Sequence, residues 1–166
     1  MTIIYSFPPI ADDDARILIL GSMPGKASLQ AGQYYAHPRN QFWPILGELV
    51  GAGPALDYVE RASTLMSAKI ALWDVLKSCY RSSSLDADID KSSIVVNDFA
   101  VFFATHPHIR QVFFNGATAE QAFRRYVLPA IDAEGLVLQR LPSTSPAHAG
   151  MSFQQKLQCW QSIRNL

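Results

Sequence analysis

A chain of 166 residues, 49% of them hydrophobic and 17% charged, can bury one sizeable core and reads as a single domain over residues 1–166. Its fourteen basic and fourteen acidic side chains cancel, which excludes the global basic excess of most sequence-tolerant nucleic-acid binders and leaves a local patch for such a partner. Cys79 and Cys159 have no C-x-x-C spacing and read as reduced thiols, no run approaches the ~20 apolar residues of a membrane span, and no leader-like segment opens the chain. The expectation is a cytoplasmic monomer with no membrane contact, no metal and no cofactor.

Met1 to Asp14 reads as a solvated arm, with Pro8, Pro9 and an Asp12–Asp13–Asp14 run whose side chains diverge. Arg16 to Leu20 (RILIL) is a short run of branched residues that stops at Gly21, as a parallel strand buried on both faces would. Beyond the loop that follows, Pro44 is comfortable at a first helical position, and Ile45, Leu46, Leu49 and Val50 carry the helix to the Gly51–Pro54 breaker. Leu56, Val59 and Met66 mark a second helical face, and Ile70 to Trp73 the next strand, ending at Asp74. Lys77 to Asp90 reads as a loop rich in Ser. Asn97 is the expected cap of a helix bearing Phe99, Phe102 and Phe103, which Pro107 ends; that proline also separates His106 from His108 and argues against a metal pair. Gln111 to Phe114 is the third strand, followed by Asn115–Gly116 and a helix with Ala119, Ala122, Phe123, Tyr126 and Val127 inward. Leu136 to Leu141 is the fourth, Pro142 to Gly150 the loop after it, and Phe153, Leu157, Trp160 and Ile163 face inward on a last helix.

Four strands separated by helices indicate a parallel sheet, since each crossover must carry the chain back to the same starting edge. The strand ends then deliver Ser22–Met23, Asp74, Asn115 and Ser143–Thr144–Ser145 to one edge, where open α/β sheets bind ligands.

The richest of these ends is Gly21 to Trp43, GSMPGKASLQAGQYYAHPRNQFW. Gly21, Pro24 and Gly25 give a turn whose backbone can approach a ligand closely, and Tyr34, Tyr35, His37, Arg39 and Asn40 follow within one loop length. Asn40 has two readings, a helix cap or, if regular helix begins at Pro44, a free amide for chemistry.

GSMPG followed by YYAHPRNQFW resembles the first motif of the uracil-DNA glycosylase superfamily, and the whole set is most similar to its hypoxanthine-DNA (deoxyinosine) glycosylase branch. The mismatch-specific uracil enzymes have a similar Gly-x-Asn-Pro-Gly loop and a His-Pro-x-Asn-x-Phe-Trp run; Met23 stands here where they have the water-positioning Asn. The resemblance implies a three-layer α/β/α fold with a central four-stranded parallel sheet, and a monofunctional hydrolase that flips and excises deaminated bases in base excision repair. By motif position it gives Asn40 the catalytic role of orienting water, Tyr35 a place over the flipped base, and Gly21, Ser22, Met23 and Pro24 the substrate loop. Tyr35 packed under the loop is the other reading of that ring.

Asp74 sits where uracil enzymes place a base-reading Asn. Hypoxanthine offers an N1–H donor and an O6 acceptor, so an ionised carboxylate would favour it over adenine, with an amide N–H of the Gly21 loop on O6; anchoring of the adjoining turn is the alternative. The Leu141–Pro142–Ser143–Thr144–Ser145–Pro146 run resembles the superfamily's second motif, a Pro-Ser loop that grips phosphates and bears the residues wedged into the duplex. Ser143, Thr144, Ser145 and His148 are the implied DNA contacts, and Leu141 departs from the His or Asn of many relatives. His148 as plain surface stays open.

Two rivals follow from the residues. A P-loop fails because three residues separate Gly21 from Gly25 and Ala27 follows Lys26. A non-catalytic nucleotide-binding α/β module, or a uracil or mismatch-specific glycosylase, remains to be separated by experiment.

Overall fold

The computed structural model describes residues 2–164; Met1, Asn165 and Leu166 lie outside the described residues. The four apolar runs pair as expected. Strands β2 (Ile17–Gly21), β3 (Ile70–Asp74), β6 (Gln111–Asn115) and β7 (Val137–Leu141) form one parallel sheet in the order β3-β2-β6-β7. Alternation along each strand divides the core. Leu18, Leu20, Ala71, Trp73, Val112 and Phe114 face one side, against Phe99 and Phe102 of α4 (Phe99–Thr105) and Ala119 and Ala122 of α5 (Ala117–Ala122). Ile17, Ile19, Ile70, Leu72 and Phe113 face the other, against Phe42, Ile45 and Leu46 of α2 (Phe42–Val50), Leu65 of α3 (Tyr58–Ser67) and Trp160 of α6 (Phe153–Trp160). The result is the three-layer α/β/α arrangement, built by period-two strands between amphipathic helices.

The register aligns the strand ends. Gly21 pairs with Asp74, and Asn115 with Leu141, so four loops leave the sheet side by side. Because β3 and β6 lie on opposite sides of β2, the winding changes hand beside β2, and a crevice opens outside its carboxyl end. Helix α1 (Lys26–Ala31) borders that opening with Lys26, Ala27 and Ser28.

Several local expectations change. The solvated arm is partly a strand: β1 (Ile3–Tyr5) pairs antiparallel with β4 (Leu76–Tyr80), which takes the first residues of the expected loop and also pairs with β5 (Val95–Val96). Partners over seventy residues apart, with Lys77, Ser78 and Cys79 in the middle of the strand, leave no alternation to read. The cap of α4 is Asp98, whose side chain accepts from the Val101 N–H, while the Asn97 amide donates to the Asp74 carbonyl at 2.8 Å. Helix α2 begins at Phe42 rather than Pro44. Pro44 is harmless there because the first intrahelical bond runs from the Ile45 N–H to the Gln41 carbonyl. The helix expected through Val127 regularises only to Ala122, then widens into a π turn over Phe123–Val127. Among the described residues no helix is long and apolar enough to cross a membrane.

Candidate active site

The loops at the carboxyl edge enclose a cavity of about 620 Å³, a size that suits a small-molecule or single-base ligand. Its lining includes Gly21, Ser22, Met23, Pro24, Tyr35, Asn40, Asp74, Ser143, Thr144, Ser145 and His148, so the residues given a catalytic, substrate or DNA-contact role border one space, while Arg39 does not. Asn115 joins them, and Ser84 to Ala87 form a further wall. That wall had no motif to announce it.

Asp74 lies at the end of β3, buried to 3% exposure, and among the described residues its Oδ2 has no hydrogen-bond partner. Burial and the Asp86 carboxylate push its pKa up to about 7, with the Arg81 guanidinium pulling the other way. The carboxyl group therefore changes charge near neutrality, and it leaves an acceptor free inside the cavity.

Gly21 is fixed by this neighbourhood. A Cβ there would stand 2.6 Å from Asp74 Oδ1 and 2.7 Å from the Tyr35 hydroxyl. No side chain fits between them.

Tyr35 has a left-handed backbone (φ 55°), an uncommon state for a bulky residue and a mark of local constraint. The turn sends its ring inward, stacked on Phe42 at 4.2 Å between centroids. Among the described residues its buried hydroxyl meets no hydrogen-bond partner at full geometry, and burial with the Asp74 charge, against the nearby Asn115 amide, drives the phenol well above its ordinary pKa, so it stays protonated. The ring is thus packed on Phe42 and also borders the cavity. Tyr34 turns the other way, donating its hydroxyl to the Pro8 carbonyl at 2.8 Å and accepting the Trp43 indole N–H on its own carbonyl. These bonds anchor the loop on both sides of Tyr35.

The Asn40 amide is not wholly free. Its Oδ1 accepts the Phe42 N–H at 2.9 Å, one residue before the Gln41 cap position. The bond holds the carboxamide in one orientation at the cavity edge, and a carbonyl oxygen has a second lone pair for a water. Helix entry and a chemical role are compatible here.

The first loop is braced from across the chain. Ser22 Oγ donates to Asp86 at 2.8 Å, the Lys26 N–H donates to Ser84 Oγ at 2.9 Å, and Arg81 donates to the Pro24 carbonyl. The second loop is held differently. Asn115 grips Thr144 with both ends of its amide, donating to Oγ1 and accepting from the backbone N–H, each at 2.9 Å. The Thr144 carbonyl accepts the Gln41 N–H. At 1% exposure Thr144 is a clamp beneath the surface, and the groups left facing outward are Ser143, Ser145 and His148. Gly116, at φ 95°, lets this loop close in, since a Cβ there would come within 3.1 Å of Ser143. Trp160 donates its indole N–H to the Pro142 carbonyl at 2.9 Å and fixes the loop's root.

Among the described residues no three His, Cys, Asp or Glu side chains gather as a metal site. What the cavity offers is an oriented amide, a buried carboxyl with a free acceptor, aromatic surface, and a rim of hydroxyls and backbone amides. That set can accept a planar heterocycle, read a donor on its edge, and place a water.

Residues 8–164 match the family profile described as the uracil DNA glycosylase superfamily. A "Hypoxanthine DNA glycosylase" of Methanosarcina acetivorans is 33% identical over 158 residues, covering 95% of each chain. One of Methanosarcina barkeri is 40% identical over 111 residues, 66% of this chain and 69% of the relative. The solution NMR structure of a Methanosarcina acetivorans protein, described as a candidate uracil DNA glycosylase, superposes with a TM-score of 0.81 at 31% identity over 99% of this chain and 98% of that one. The chain belongs to the uracil DNA glycosylase superfamily.

Proposed function

We propose that this protein is a monofunctional hypoxanthine-DNA glycosylase, a cytoplasmic monomer that removes deaminated bases from DNA in base excision repair. The observation that carries this reading is the free Asp74 carboxyl oxygen, buried in a base-sized cavity that Asn40 borders. The two relatives bearing the name of that activity support it.

The reaction breaks the bond between the sugar C1′ and the purine N9. A nucleotide leaves the stack and its base enters the cavity over Tyr35. Ionised Asp74 accepts the N1–H, and N–H groups of the Gly21–Gly25 loop face O6. Adenine would present a lone pair at N1 to that carboxylate and be repelled. Asn40 Oδ1, held by the Phe42 N–H, accepts a hydrogen bond from a water and orients its oxygen toward C1′. The C1′–N9 electron pair departs with the base, the water oxygen bonds C1′ and gives up one proton to solvent, and the base anion takes one proton from solvent to leave as hypoxanthine. An amide is too weak a base to abstract that proton early, so Asn40 acts by position. Ser143, Ser145 and His148 hold phosphates without adding much charge, which fits the neutral balance of the chain.

Base release from matched duplexes carrying one deoxyinosine, one deoxyuridine or one G·T mismatch tests the proposal, with Asn40→Ala alongside. Hypoxanthine released by the wild type and not by the variant, with binding retained, is the expected result. Uracil or thymine release alone overturns the substrate assignment, and no release overturns the reaction.

A further inference from the structure

Flipping a purine leaves a gap in the duplex, and the cost of unstacking falls when an apolar side chain fills it. Sequence resemblance put that side chain on the second loop. The structure gives that loop only Pro146 and Ala147 as apolar groups at the cavity rim, both small. Of the large apolar side chains exposed among the described residues, Leu85 alone also lines the cavity. It is 50% exposed, and it stands on the wall formed by Ser84 to Ala87.

Its setting is firm. Ser84 on one side accepts the Lys26 N–H, and Asp86 on the other accepts the Ser22 hydroxyl. The Leu85 N–H donates to Ser83 Oγ at 2.9 Å, and a tight 3-10 turn over Asp86–Asp88 follows directly. A leucine held on both sides at the mouth of a cavity is placed to enter a stack without first being ordered. The charges of the same loop point to bases rather than phosphates. Asp86 and Asp88 are engaged by the Ser22 and Ser83 hydroxyls, and the tip from Leu85 to Asp88 carries no cation to offer a phosphate, so the contact it can make is with base faces.

We infer that Leu85 is the residue inserted into the duplex to fill the place of the extruded nucleotide, a positioning role that rests on the glycosylase reading of the cavity. Single-turnover base release by wild type, Leu85→Ala and Leu85→Met is compared on duplex and single-stranded oligonucleotides of one sequence, carrying deoxyinosine or deoxyuridine. Leu85→Ala is expected to lose about tenfold or more on duplex and to stay within about twofold on single strands, with Leu85→Met recovering most of the loss. A bulky pyrene nucleotide opposite the target, which fills the gap itself, restores Leu85→Ala. In parallel, a 2-aminopurine beside the target brightens on binding wild type and not Leu85→Ala. Equal losses on both substrates, or none, overturn the inference. A wild type that prefers uracil overturns the hypoxanthine assignment while the duplex-to-single-strand ratio still judges Leu85, and neither release nor a 2-aminopurine signal on any duplex overturns both.

Discussion

The two loops that close the cavity are built on opposite plans. The one after β2 is buried from Gly21 to Pro24 and tied by side chains from a distant segment, Arg81, Ser84 and Asp86. The one after β7 is held at its root by Trp160, clamped by Asn115 on Thr144, and exposed from Ala147 onward. The first plan suits atoms that must stand still relative to a reacting bond, because small displacements there cost rate steeply. The second suits a surface that follows a polymer's backbone, where several weak contacts share the binding and none must be exact.

Asn40→Ala breaks the rigid side at its chemical end. On this account turnover falls on the order of a hundredfold or more, from the loss of positional and proton-handling catalysis, while duplex affinity measured by anisotropy stays near wild type. Stability drops by only about 1 kcal/mol, for one lost hydrogen bond, as a urea melt will show.

The next largest effect concerns Asp74. Its folded pKa is raised to about 7, so the folded protein binds a proton more tightly than the unfolded chain does. The contribution of Asp74 to stability is therefore greatest below the ordinary carboxylate range and declines as pH climbs from there through about 7, by on the order of a few kcal/mol. Urea midpoints at pH 4.5 and 7.5 should differ in that sense, and Asp74→Asn should flatten the slope. Catalysis should run the opposite way. Discrimination of hypoxanthine from adenine, as a ratio of kcat/KM, rises as pH passes about 7, because a protonated carboxyl can donate to adenine N1 and an ionised one cannot; a flat ratio defeats the base-reading role.

Asn115→Ala tests the clamp. It strands the buried Thr144 N–H, at a cost of about 1–3 kcal/mol, and should weaken DNA binding more than it slows single-turnover release at saturating enzyme. A loss confined to release would move Asn115 from the binding loop to the chemistry. The smallest effect belongs to His148→Ala on the exposed arm of the loop: a change in affinity of no more than about threefold, with the salt dependence of binding shifted by less than one ion.

These contrasts were legible from sequence to different degrees. RILIL, IALW and QVFF announce buried strands because parallel strands covered on both faces need continuous apolar runs, and their ends fix where the site must be. Every site residue chosen that way borders the cavity. What stayed hidden depends on partners remote in sequence. Nothing local in LKSCY says that Ile3–Tyr5 will pair with it, and nothing in SSSLDAD says that Ser84 and Asp86 will brace the Gly21 loop. The misread caps have a finer cause: Asn97 and Asp98 are adjacent and both competent, and the choice fell to Asp98 because Asn97 serves the Asp74 carbonyl. At Asn40 the two readings excluded each other only while the amide was imagined with a single partner.

The Trp160 indole that holds the Pro142 carbonyl also meets Phe42 edge-on, ring centroids 6.0 Å apart, and Phe42 in turn carries the Tyr35 ring. One side chain of the last helix thus supports both walls of the cavity, the root of the strand-holding loop and the floor beneath the base. A chain that stops before α6 is expected to lose both together.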